Sequence, residues 1–282
     1  MTTQFDGQSR YLFQGNRLAN CGLIIVLCIM FATTFAEFIT PFPQDIGPMG
    51  DMTALGIPPN RLHVFGTDLM GRDLFTRIIF SYRISFTMGL VVLSIAVPVG
   101  VVVGLVAGYM GGRIEYLLMR LTDVFLAVPP LVLAMAIMGF LEPTLTNGML
   151  AVTASWWPWY SRLIYNVTRS EAQEGYVIAA RLIGASVPHI LLSEILPNCL
   201  PSIVTKMTLD FGFVILMTSS LSFLGLGVQP PTPDLGSMVS DGAKYMPDAW
   251  WLTVFPALAI LLVVIGFNLV GDGLRETFDA DG

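Results

Sequence analysis

The chain has 282 residues, of which 54% are hydrophobic and only 12% charged; its mean hydropathy is +0.72 and its net charge −6. A soluble domain of this size carries about a quarter charged residues to cover its surface, so much of this surface faces something other than water. Two lysines and twelve arginines in an acidic chain exclude the clustered basic face that nucleic acid requires. Cys21, Cys28 and Cys199 lack the spacing of a disulfide framework or a zinc site and read as small buried hydrophobes.

A membrane-crossing helix takes about 20 mostly apolar residues. Six runs of that kind are predicted, at about 18–38, within 84–112, and at about 117–141, 146–165, 199–225 and 249–271. The fold class is therefore all-α, a polytopic membrane protein with six transmembrane helices. The first run is longer than the apolar core of a signal peptide and is followed by no A-x-A-like cleavage site before Glu37, so it reads as a retained span. No hydrophilic stretch is long enough for a separate catalytic domain.

Lys and Arg near the span ends set the orientation. With both termini in the cytoplasm, that side holds Arg10, Arg17, Arg113, Arg120, Arg162, Arg169, Arg181 and Arg275, against Arg61, Arg72, Arg77, Arg83 and Lys244 outside. The predicted layout is a cytoplasmic segment 1–17, a first span within 18–40 and an extracytoplasmic loop 41–83. A core of five spans over 84–272 follows, carrying a cytoplasmic loop at 166–198, and then a cytoplasmic tail 273–282. The proline-rich 41–64 stretch reads as irregular. His63 and His189 fall on opposite sides of the membrane and read as surface residues rather than a metal pair.

Inside the second span Gly100, Gly104 and Gly108 recur every fourth residue, two successive small-xxx-small steps that let helix backbones approach closely. Tight packing within the bundle is the plain reading, and a hinge at Pro98 the sharper alternative.

The polar loop after the fourth span is the most informative segment. Glu171 to Leu182 reads as a short helix with acids in its first turn, where the helix dipole favours them. Gly184 then breaks it. Ser186 can cap a second short helix with Pro188 in its first turn, where a missing N–H costs nothing. Two short helices held at an angle below the membrane would form a rigid knob able to fit a cleft on a partner.

AARLIG (Ala179 to Gly184) followed by ILP (Ile195 to Pro197) resembles the cytoplasmic "EAA" loop of ABC importer permeases. Ala179, Ala180, Gly184, Leu196 and Pro197 are in register with that pattern; Ile178 stands where the family has Glu, and Glu194 where it has Ile. Further segments resemble the peptide- and nickel-type permeases, in particular their second, "C-type" subunit: Phe65 to Ser85, Met119 to Leu131, Leu221 to Met238 and Phe267 to Asp279. The resemblance covers about three quarters of the chain, in order. It implies a type I ABC importer permease with a cytoplasmic coupling helix, in the bacterial inner membrane. The implied partners are a homologous second permease, two cytoplasmic ATPase subunits that bind ATP and Mg, and an extracytoplasmic solute-binding protein; this chain itself binds no cofactor. The residues implied to dock the ATPase are Ala179, Ala180, Arg181, Gly184, Ala185, Ser186 and Pro188, with Glu174 offered as a substitute for the glutamate missing at 178.

Lys206 and Asp210, four residues apart in the fifth span, share a helix face and can pair. At 1.5 Å per residue from Pro197, Asp210 lies about 20 Å into the bilayer. A charge at that depth marks either an internally satisfied pair or a translocation path. Other classes fare worse. The constellations of an intramembrane enzyme are missing, no P-loop precedes Lys206 or Lys244, and no internal repeat suggests a secondary transporter. Di- or oligopeptide is the expected substrate, with nickel or another small metabolite as the alternative.

Overall fold

The computed structural model describes residues 16–280; Arg10 and most of the expected 1–17 segment lie outside the described residues, as do the last two. Among the described residues the structure is helical, with no strand beyond one isolated bridge between Thr67 and Asp73. Helix α1 runs Arg17–Thr34 and is followed by a short α2, Ala36–Ile39. Its first turn is capped by Asn16, whose side-chain oxygen accepts from the Leu18 and Ala19 amides at 2.9 and 3.1 Å.

Helix α3 spans Leu74–Met110 and so begins well before the expected apolar run at 84, within the stretch assigned to the outer loop. Asp73 explains the early start, because its side chain caps the Thr76 amide at 2.8 Å. Helices α4 (Gly112–Leu126) and α5 (Pro130–Met138) occupy the expected third span but meet at 85°. Pro129 and Pro130 cause the break: neither supplies an N–H to continue a helix from α4. Helix α6 is Leu145–Glu171, followed by the short α7, Gly175–Leu182. Next come α8 (Val187–His189), a π-helical stretch Ile190–Ile195, and α9 (Leu196–Phe223). Helix α10 is Leu235–Ala243 and α11 is Trp251–Ala280.

Four helices among the described residues are long and apolar enough to cross a membrane, or five if the bent α4–α5 pair is one span. The expected count of six is not reached on those criteria. The shortfall is α6, which is long enough but carries Ser155, Ser161, Arg162, Asn166, Thr168 and Arg169 along its length. Helix α6 packs along α3 and also against α5, α4 and α9; its Ser155, Ser161 and Thr168 are buried there, whereas Asn166 and Arg169 are exposed.

The α3–α6 contact is where the glycine face does its work. A methyl on Gly100 would sit 2.6 Å from the Trp157 carbonyl oxygen, and one on Gly104 2.7 Å from the Ser161 carbonyl oxygen. On Gly108 it would sit 2.7 Å from Thr168 Cβ. The three glycines therefore bring two backbones into contact. Helix α11 packs against α9, α10 and α1, and Phe86, Phe211 and Phe267 fill the space among α3, α9 and α11. Outside, α1 exposes Leu18, Ile24, Leu27 and Phe31, a face suited to hydrocarbon. Cys21 and Cys28 lie on exposed positions of the same helix, so only Cys199 is buried as expected.

Both ends of the described chain lie at one end of the bundle, where Asn16 donates to Glu276 at 2.6 Å. At the other end the 41–73 loop is irregular, as expected, apart from the 3-10 turn Pro43–Ile46, and side-chain bonds tie it together. Asp45 accepts from the Asp73 amide at 2.8 Å, His63 Nδ1 lies 3.0 Å from Asp73 Oδ1, and Phe42 stacks on the imidazole. His63 is thus buried, not a surface residue, because the Asp73 carboxylate and the Phe42 ring hold it inside the loop. Burial, chiefly, raises the Asp45 carboxyl above its usual value.

Candidate functional site

The polar loop folds differently from its sequence pattern in three respects. The helix expected to start at Glu171 starts at Gly175, because α6 continues to Glu171 and uses that acid in its last turn. The acids therefore do not occupy the first turn of α7; Glu174 is its N-cap residue, exposed and without a side-chain cap bond. Ser186 likewise precedes α8 without donating or accepting a cap bond. Most consequential, the second short helix is not separate. Val187 to Phe223 runs through the π-helical turn as one continuous helix, so half of the knob is the foot of α9.

Gly184 sits at φ +82°, a left-handed conformation that allows the reversal between α7 and α8. Val177 and Ala180 turn inward and are buried, while Ala179, Arg181, Gly184, Ser186 and Pro188 are exposed and Ala185 half-buried. Ile178, in the place of the family's glutamate, is exposed as well. The tip is apolar: Leu182 is 83% and Ile183 86% exposed. Arg181 lies over the Tyr109 ring at 5.1 Å, which ties α7 to the end of α3. Tyr176 donates to Glu171 and accepts from Asn198 at 2.7 Å, linking α6, α7 and α9. Burial first and Glu171 second push the Tyr176 phenol up to about 12, so it stays a donor at neutral pH.

Within the bundle, Lys206 Nζ is 3.1 Å from Asp210, and Trp156 Nε1 of α6 donates to the same carboxylate at 3.0 Å. The expected pair forms, and the aromatic cluster of α6 supports it: the ammonium lies 5.4 Å from the Tyr160 ring centroid and 5.9 Å from that of Trp159. Asp210 is buried and Lys206 half-buried.

Sequence reading missed a second polar cluster, between α4 and α6. Arg162 pairs with Asp123, Tyr165 donates to Glu115, and Arg169 reaches both Tyr165 at 2.7 Å and Glu115 at 3.5 Å. The signal was present in the charges Arg113, Glu115, Arg120 and Asp123, which recur through the start of the expected third span. Their partners sit on another helix, which no local pattern reveals.

The described fold has solved counterparts. The permease chains of the methionine ABC transporter MetNI, in inward-facing conformations, superpose with a TM-score of 0.56 over 72% of this chain and 95% of theirs, at 19% identity, a likeness of fold. Residues 100–281 match the model of the binding-protein-dependent transport system inner membrane component. The chain belongs to that family. Among members it is 39% identical over 279 residues to the probable D,D-dipeptide transport system permease protein DdpC of Escherichia coli (strain K12), covering 98% of this chain and 92% of that protein. It is 38% identical over 276 residues to the dipeptide transport system permease protein DppC of Haemophilus influenzae, covering 95% and 92%. It is 39% identical over 274 residues to the di/tripeptide transport system permease protein DppC of Pseudomonas aeruginosa, covering 95% and 89%. As an inner membrane component of a binding-protein-dependent system the chain is an ABC importer permease, a transport subunit rather than an enzyme.

Proposed function

We propose that this permease forms half of a translocation path for di- and oligopeptides, the other half coming from a homologous second permease. In this reading ATP and Mg bind two cytoplasmic ATPase subunits, an extracytoplasmic binding protein delivers cargo, and both termini face the cytoplasm. The peptide cargo is supported by relatives named for dipeptide transport that align along 95% or more of this chain.

The observation that carries the coupling role is the knob's apolar tip. Leu182 and Ile183 are exposed at the tip of a polar loop, and in this reading they lie on the cytoplasmic side, outside the bilayer. Exposed apolar side chains on a rigid turn suit a cleft on a partner. Because α8 and α9 are continuous, a push on the tip tilts α9 and carries the Lys206–Asp210 pair with it. ATP closure and the loaded binding protein then bias the same two-state bundle from its two ends. In this scheme Lys206 and Asp210 border the path, and Glu174, Ala179, Ala180, Arg181, Gly184, Ala185, Ser186 and Pro188 frame the docking surface.

Reconstitution with the partner subunits in liposomes tests the reading. Loaded binding protein should raise ATP hydrolysis and drive uptake of a labelled dipeptide. Ion-gradient-driven uptake by the permease alone would overturn it. Leu182→Asp combined with Ile183→Asp should leave the bundle folded and abolish ATPase association.

A further inference from the structure

We propose that the end of the bundle opposite the knob carries a binding site for the terminal carboxylate of a short peptide, centred on Arg77. The proposal rests on the peptide-import reading and adds to it a site built by this chain alone. A cavity of about 240 Å³ lies between the 68–77 segment and α10, closed at one side by Leu252 of α11. Its charged lining is Asp68, Arg72, Arg77, Asp241 and Lys244, three cations against two carboxylates.

The most deeply buried of these cations is Arg77, which ion-pairs with Asp68 without a hydrogen bond to it. Its side chain is only 6% exposed, yet Nε is 3.7 Å from Asp68, beyond hydrogen-bond reach. Asp68 is already committed, taking Arg72 Nε at 2.6 Å and the Met70 and Arg72 amides at 2.8 and 3.0 Å. Among the described residues Arg77 donates to the carbonyls of Asp45, at 3.2 Å, and Pro231, at 3.4 Å. A guanidinium has five N–H donors, and burying several of them without hydrogen-bond partners is costly even beside an anion. A buried, under-bonded guanidinium on a cavity wall is placed to take a carboxylate in its fork.

A single negative charge balances the lining, which favours a carboxylate over a dianion. The amino end of a short peptide finds an acid as well. Asp241 on the rim is held by Lys244 at 3.0 Å, and both side chains are about two-thirds exposed. So exposed a pair is weak, and an incoming ammonium can displace the lysine. Leu74, Met238 and Leu252 supply an apolar wall for a side chain. The volume is small beside the roughly 300–1,000 Å³ of most ligand pockets, so the site takes one or two residues at a peptide's C-terminus.

The test uses the assembled importer in nanodiscs without its binding protein, with equilibrium dialysis of labelled alanylalanine, its C-terminal amide and acetate. The free dipeptide should bind about tenfold or more tightly than the amide or acetate, and Arg77→Gln should erase that difference. Equal affinity for dipeptide and amide, or for dipeptide and acetate, overturns the assignment. So does an Arg77→Gln complex that still discriminates. If Arg77→Gln fails to assemble, Thr232→Trp, on an exposed rim position, fills the cavity without removing any Arg77 bond; retained discrimination there also overturns the site. Uptake of alanylalanine by the wild-type importer with its binding protein is measured alongside. No uptake defeats the peptide reading, whereas uptake without Arg77-dependent binding defeats this site alone.

Discussion

Gly104→Val puts the α3–α6 contact under load. The first added carbon would stand 2.7 Å from the Ser161 carbonyl oxygen, 2.8 Å from Ile164 Cβ and 2.9 Å from the Tyr165 amide nitrogen. Two of those three atoms are backbone and cannot rotate away. Ordinary contacts lie at about 3.5–4.0 Å, so the helices must part locally by about 1 Å. Overpacking of this kind costs about 1–3 kcal/mol, and the branched valine falls at the upper end. Valine's better helix propensity returns roughly 0.5 kcal/mol. The net loss of about 2 kcal/mol is a factor of roughly 30 in the folded-to-unfolded ratio. Gly148→Ala on α6 is the matched control, because its methyl would meet only Met88 Cε, at 4.0 Å. It should be neutral, or more stable by up to about 1 kcal/mol. Denaturant or thermal unfolding of the two purified variants in one detergent makes the comparison. Equal stability of Gly104→Val and Gly148→Ala would refute the close-approach argument.

The buried pair in α9 makes a second case: Lys206→Met leaves Asp210 with Trp156 but no cation and should cost about 3 kcal/mol, whereas Lys206→Met with Asp210→Leu should recover most of that. Unfolding of the single and double variants checks it, and a double variant less stable than the single would contradict it. Asp210→Asn should reduce peptide uptake if the carboxylate borders the path, and normal uptake removes that role. Charge reversal at the exposed Glu174 should weaken ATPase co-purification; unchanged assembly would show that Leu182 and Ile183 dock without it. For Asp45, a carboxyl raised in the folded loop is protonated more readily folded than unfolded, so its ionisation costs stability as pH rises from the ordinary 3.8 through the raised value. Asp73, His63, Asp68 and Arg77 surround it. Hydrogen exchange of the 41–73 amides should therefore show a pH-dependent loss of protection that Asp45→Asn reduces. The asparagine oxygen can still accept from the Asp73 amide.

The sequence by itself determined that the chain is an apolar helical bundle, where most of its long helices lie, and that a Gly-broken polar loop follows the fourth predicted span. Composition and local periodicity carry those facts, because a bilayer forces every span to satisfy its own backbone. It also determined that Lys206 and Asp210 pair, since four residues on one helix fix the geometry. Only the tertiary structure decided the rest. The bonding of Asp123 and Glu115 to α6 and the burial of His63 depend on neighbours distant in sequence, while the angle at Pro129 and the continuity of the knob with α9 are local features that the span and loop patterns left open. The Gly100–Gly104–Gly108 face shows the boundary well. Spacing announced that some backbone would come close, but its partner is the least apolar of the long helices, whose Ser161 and Thr168 are buried in the bundle and whose Arg162 and Arg169 are paired with α4.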